Sequence, residues 1–129
     1  MPALRPEYHP GPATGGGLGI DNSRRGLQEL DRPGRRLVEA DLAQPLGQIA
    51  AVSDAVLALD VIEHLDDDRA AAARLGAIVR PGGARIVSVP ALPALFAEFD
   101  TIQGQRRRYL PETLGAAFAD SGLLLDRIF

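Results

Sequence analysis

Apolar positions along the chain fall in short blocks, separated by turn-forming residues. Leu18-Gly19-Ile20-Asp21 is an apolar run that closes on an acid, and it predicts a strand. Asn22 or Ser23 caps a short helix from Arg24 to Leu30. Arg32-Pro33-Gly34 is a turn. Positions 36–41 (Arg-Leu-Val-Glu-Ala-Asp) predict a second strand that again ends in an acid, and 44–52 reads equally as helix or strand. Positions 54–60 form the clearest strand, an almost unbroken apolar run expected to be buried on both faces of a parallel sheet. Asp66-Asp67-Asp68 supplies caps and negative charge where a helix dipole favours them. The helix at 69–79 places Ala71, Leu75, Ile78 and Val79 on one face, and Pro81-Gly82-Gly83 stops it. A strand at 85–90 follows, then a long loop holding Phe96, Phe99 and Arg106-Arg107-Arg108-Tyr109. Pro111 opens a helix at 111–121 with Leu114, Ala117 and Phe118 inward. Gly122 ends it, and 123–129 begins a last strand.

Alternating strands and helices with short turns are the signature of an α/β fold, an open and mostly parallel sheet flanked by helices. The 1–17 segment stands apart. Its four prolines and closing Gly15-Gly16-Gly17 predict irregular chain ahead of one domain at 18–129. A length of 129 residues leaves room for one domain.

Composition narrows the field. Apolar residues make up 46% and charged residues 24%, which excludes a wholly disordered chain. Cysteine is absent, so disulfides, thiolate metal sites and a cysteine nucleophile are excluded. His9 and His64 lie far apart, which argues against zinc. No apolar run reaches the roughly 20 residues of a membrane span, and no signal peptide is evident. A cytoplasmic location is the default. A net charge of −3 gives no general attraction to nucleic acid. All 14 basic residues are arginine, a bias best explained by GC-rich coding sequence.

In open parallel sheets, ligands sit beyond the carboxyl ends of the strands, and Asp21, Asp41 and Asp60 each occupy such an end. Asp21 can accept from ribose hydroxyls, or simply cap a helix. Asp41 can accept from an adenine amino group while the Leu42 amide donates to the ring, or it can be an ordinary acid in a turn. After Asp60 come Glu63 and His64. His64 is the candidate general base; the plainer alternative is a histidine that packs locally beside a solvated Glu63. Arg106-Arg107-Arg108-Tyr109 suits carboxylate or phosphate groups, or is a solvated loop. Gly15-Gly16-Gly17-Leu18-Gly19 fails as a phosphate loop, because a strand follows it where a helix is required.

Leu18-Gly19-Ile20-Asp21, Glu39-Ala40-Asp41-Leu42, the stretch Leu59-Asp60-Val61-Ile62-Glu63-His64-Leu65 and Arg80-Pro81-Gly82-Gly83 occur in that order. Together they resemble a class I S-adenosylmethionine-dependent methyltransferase of the type-11/type-12 group, with a Rossmann-like fold, over 18–129. The resemblance implies that Asp21 holds the ribose of S-adenosylmethionine, Asp41 and Leu42 its adenine, and that Asp60 lines its methionine end. It implies likewise that His64 lies near the acceptor and serves as catalytic base, and that Arg107, Arg108 and Tyr109 cover the acceptor pocket or bind substrate. The implied partner is a small-molecule acceptor, with no nucleic acid and no membrane span.

The resemblance also places the family's first strand and glycine-rich loop upstream of Asp21. There the chain reads Met1-Pro2-Ala3-Leu4-Arg5-Pro6, which makes no buried strand. The expectation is therefore an incomplete domain, lacking that strand and ending inside its sixth. A truncated gene model, a degenerate copy and a half-domain completed by another chain each account for it. The competing class is a non-catalytic α/β module, a pseudoenzyme or interaction subunit that binds no cofactor.

Overall fold

The structure, a computed structural model, describes residues 17–33, 35–49 and 53–129. The segment 1–17 predicted to be irregular therefore lies outside the described residues except at Gly17, as do Gly34 of the predicted turn and 50–52 of the ambiguous stretch. Contacts divide the chain into two compact units, Met1–Ile49 and Ala50–Phe129. The fold is mixed α/β, with two-stranded parallel sheets flanked by helices.

The first unit is a β–α–β turn: β1 at Leu18–Asp21, α1 at Arg24–Leu30 and β2 at Arg36–Glu39. The strands are parallel, with Leu18 opposite Arg36 and Asp21 opposite Glu39. Ser23 caps α1, its hydroxyl accepting from the Gly26 amide at 3.1 Å. Leu27 and Val38 are buried. Gly19 permits the close strand approach, since a Cβ there would lie 2.8 Å from Leu37 Cδ2. The ambiguous stretch holds only a short 3-10 turn at Gly47–Ile49.

The second unit contains β3 (Ser53–Leu59), α2 (Asp68–Ile78), β4 (Val79–Ser88), α3 (Glu98–Ile102) and α4 (Pro111–Phe118). Asp67 caps α2 by accepting from the Ala70 amide. The helix stops one residue before the predicted end, because Val79 is already extended and pairs with Ser53. Pro81-Gly82-Gly83 is therefore not a turn ahead of a strand at 85–90. It lies within β4 as a bulge between the Ser53–Val79 and Ala55–Ala84 pairs. Gly82 supplies a φ of +79°, and a Cβ on Gly83 would lie 2.6 Å from the Asp54 carbonyl oxygen. Beyond the bulge, Leu57 faces Ile86 and Leu59 faces Ser88.

Ala58, Ile62, Ala71, Ala72, Leu75, Ile78, Tyr109 and Ala117 form the core of this unit. The expectation of a strand buried on both faces is corrected. Val56 and Ala58 face inward, while Leu57 and Ile86 on the opposite face are 64% and 58% exposed. Among the described residues, helices cover one side of this sheet only. The long loop is partly ordered as a 3-10 turn at Pro93–Leu95 and as α3. The last helix ends at Phe118, three residues short of expectation. No strand forms at 123–129; Leu124 and Phe129 are exposed, and no described strand pairs with this segment.

Candidate functional site

In the first unit, Asp21 and Asp41 stand at the same carboxyl edge of the β1–β2 sheet. Each carboxylate closes a local turn with one oxygen. Asp21 Oδ1 accepts from the Ser23 amide at 2.7 Å, and Asp41 Oδ1 accepts from the Ala43 amide at 2.8 Å. A carboxylate has two oxygens, so each acid, fixed in direction by the backbone, can close its turn with one and offer the other to a ligand hydroxyl or amine. Asp21 is exposed, and Asp41 and Leu42 are half-buried. The cap and ligand roles are compatible, because they use different oxygens.

In the second unit, Asp60 follows β3 with a φ of +54°, a left-handed conformation uncommon for a residue bearing a Cβ. Its amide donates to the Ser88 carbonyl at 3.0 Å, and the Ser88 hydroxyl lies 3.4 Å from Oδ1. The reversal of backbone direction at Asp60 starts the 3-10 turn Ile62–His64. Ile62 fills the core. Glu63 is 0% exposed and neither carboxylate oxygen has a hydrogen-bond partner. Its Oε1 lies 3.8 Å from His64 Nε2, and the His64 side chain is 37% exposed. Burial raises the Glu63 carboxyl above its ordinary range; its own backbone amide and, after it, His64 oppose that shift, and Asp60 adds to it. Glu63 is therefore not on a solvated face, as the plainer sequence alternative had it.

The arginine cluster ties down a strap running from Pro90 to Tyr109. The strap closes at its base, where Tyr109 donates to Pro90 and Leu92 donates to Tyr109, at 2.8 and 3.0 Å. Arg108 grips the buried Asp100, donating from Nη2 at 2.7 Å and from Nε at 3.2 Å. Those bonds hold the Asp100 carboxyl below the usual carboxylate range. Arg107 donates to the Leu65 and Asp66 carbonyls at 2.7 and 2.9 Å. The Arg106 amide donates to the Glu63 carbonyl at 2.7 Å. The Tyr109 hydroxyl donates to Asp68 at 2.9 Å, and burial pushes this phenol up to about 12. Arg107, Arg108 and Tyr109 thus bind the protein's own groups, and through them the strap is laid over the segment after Asp60.

Asp60, His64 and Ser88 come together with this strap. Asp21 and Asp41 come together in the first unit. Sequence reasoning passed over Asp100, whose only signal is an arginine eight residues on, and left Glu63 without a role. Among the described residues, no three His, Cys, Asp or Glu side chains converge for a metal ion. Among those residues, too, no helix is long and apolar enough to cross a membrane.

No family model and no curated protein sequence matches the chain. Solved structures do. The proposed methyltransferase in a Haloferax volcanii complex with the Trm112 methyltransferase activator aligns with a TM-score of 0.72 at 20% identity, covering 88% of this chain and 53% of that one. A proposed methyltransferase of Bacillus halodurans C-125 aligns with a TM-score of 0.65 at 12% identity, over 85% of this chain and 54% of that one. The chain spans about half the length of both. The expected partner, a small-molecule acceptor alone, is corrected by the first of these, which was solved bound to a protein. At these identities, what the likeness establishes is the fold: this chain carries about half the length of a methyltransferase-type α/β structure.

Proposed function

We propose that the chain serves S-adenosylmethionine-dependent methyl transfer. The observation that carries the reading is the placement of its acids. In each unit an acid stands beyond the carboxyl end of a parallel strand, where open sheets of this kind hold their ligands, and Asp21 and Asp41 are anchored there by backbone amides. The likeness in fold supports the same reading.

In this reading Asp21 receives the ribose hydroxyls, and Asp41 and Leu42 border the adenine. Within the second unit, Asp60 is an exposed acid on a left-handed backbone at the end of β3. When bound, the cofactor supplies a methyl group already activated by its sulfonium. The residues' task is then alignment and proton management. His64, half-exposed at the end of the 3-10 turn, is the base for an acceptor that must lose a proton. Arg107, Arg108 and Tyr109 shape the acceptor side by holding the strap. A similar structure contains an activator protein, so the reading includes a protein partner for the active enzyme.

Calorimetric titration of the chain with S-adenosylmethionine tests this. Saturable binding that weakens at least tenfold in both Asp21→Ala and Asp41→Ala is the expected result. No binding by the folded chain, alone and with a Trm112-type activator, refutes it and favours the non-catalytic module.

A further inference from the structure

We infer that Glu63 is a positioning residue for His64: its buried carboxylate fixes which imidazole nitrogen carries hydrogen and leaves the other to take the methyl acceptor's proton. This rests on the methyl-transfer reading above. Buried side-chain oxygens without a partner are rare in folded proteins. Glu63 has two, at the carboxyl end of a parallel strand and 3.8 Å from an imidazole nitrogen. A sealed carboxylate behind a half-exposed imidazole is the arrangement by which an acid sets a histidine's tautomer and offsets its positive charge.

The surroundings restrict the geometry further. The Glu63 carbonyl is held by the Arg106 amide, and the Leu65 and Asp66 carbonyls by the Arg107 guanidinium. The turn carrying both side chains is thus fixed from the strap. Gly104, with a φ of +78°, approaches the other imidazole nitrogen; a Cβ there would lie 3.6 Å from Nδ1. At 3.8 Å the pair is too long for a hydrogen bond and acts through charge: a buried carboxylate on the Nε2 side favours the tautomer with its hydrogen there, which leaves the lone pair on Nδ1. As the acceptor's lone pair bonds the methyl carbon and the carbon–sulfur pair returns to sulfur, Nδ1 takes the acceptor's proton. The resulting imidazolium faces Glu63. Other charged groups nearby do not compete. The Arg106 and Arg107 side chains pair with Asp66 and Asp68, and Asp60 is an acid that reinforces proton affinity at Glu63.

Heteronuclear NMR on the full chain, with labelled Glu and His, tests the pairing without requiring turnover. The expected result is one dominant His64 tautomer protonated at Nε2, with a Glu63 carboxyl carbon titrating above 4.5, its ordinary value. His64→Gln should move that Glu63 midpoint upward, and Glu63→Gln should abolish the tautomer preference. Where turnover is measurable, Glu63→Gln lowers kcat by roughly tenfold or more with KM held, and Glu63→Asp recovers part of it. Equal tautomers in the wild-type chain, or a Glu63 midpoint indifferent to His64→Gln, overturn the pairing even if S-adenosylmethionine binds. Coupled titration in a folded chain that binds no S-adenosylmethionine overturns the catalytic role instead.

Discussion

Glu63 and Asp100 are both buried acids, but their environments drive them in opposite directions. Burial raises the Glu63 carboxyl, so the folded state holds a proton that the unfolded chain has released. Its contribution is most favourable at or below 4.5 and declines as pH rises through the folded value. Glu63→Gln should therefore stabilise the chain more at pH 7 than at pH 4, in paired denaturant titrations. Asp100 is the reverse case. Arg108 depresses its carboxyl, so its contribution is present above 3.8 and is lost as pH falls through the lower folded value. Asp100→Asn should open the strap, seen as several-fold faster proteolysis between Pro90 and Tyr109 at neutral pH. The sequence made Asp60 and His64 visible as polar residues after an apolar run. It did not make Glu63's burial visible, because the chain that seals it arrives some 40 residues later, at Arg106 and Arg107.

Elements were legible where a local cap defines them. Ser23 and Asp67 start their helices by the side-chain bonds that their residue types predict, and α1 keeps its expected bounds. Ends decided by pairing were less legible. Val79 leaves α2 for a ladder partner, and Pro81-Gly82-Gly83 joins a strand as a bulge, which no local rule specifies. Tertiary approach also explains a glycine inside α2. The Ser121 backbone packs so closely that a Cβ on Gly76 would lie 2.5 Å from its carbonyl oxygen. Gly76→Ala should thus destabilise the second unit by about 1–3 kcal/mol, despite alanine's better helix propensity. Thermal unfolding of the variant measures it.

At the scale of the whole molecule, parallel alternation was readable and the degree of cover was not. An apolar run such as Leu57-Ala58-Leu59 implies two covered faces, yet helices lie on one side of the β3–β4 sheet. Leu57 and Ile86 form part of an open apolar face, and β3 has no partner but β4 among the described strands. Such a surface favours self-association. Replacing Leu57 and Ile86 together by Thr should lower the association seen by light scattering and change unfolding free energy by under about 0.5 kcal/mol.

The closed base of the strap has a further consequence, for how such a protein can change over time. Tyr109 and Leu92 bond across the two ends of the loop, so the chain leaves β4 and returns to α4 through a fixed gate. Lengthening a loop whose ends are already joined costs little conformational entropy, because closure cost grows only slowly with length. Sequence from Pro93 to Ala97 can therefore be exchanged or extended while the sheet and the Asp60–His64 turn stay as they are. Loop and scaffold are then separately inheritable.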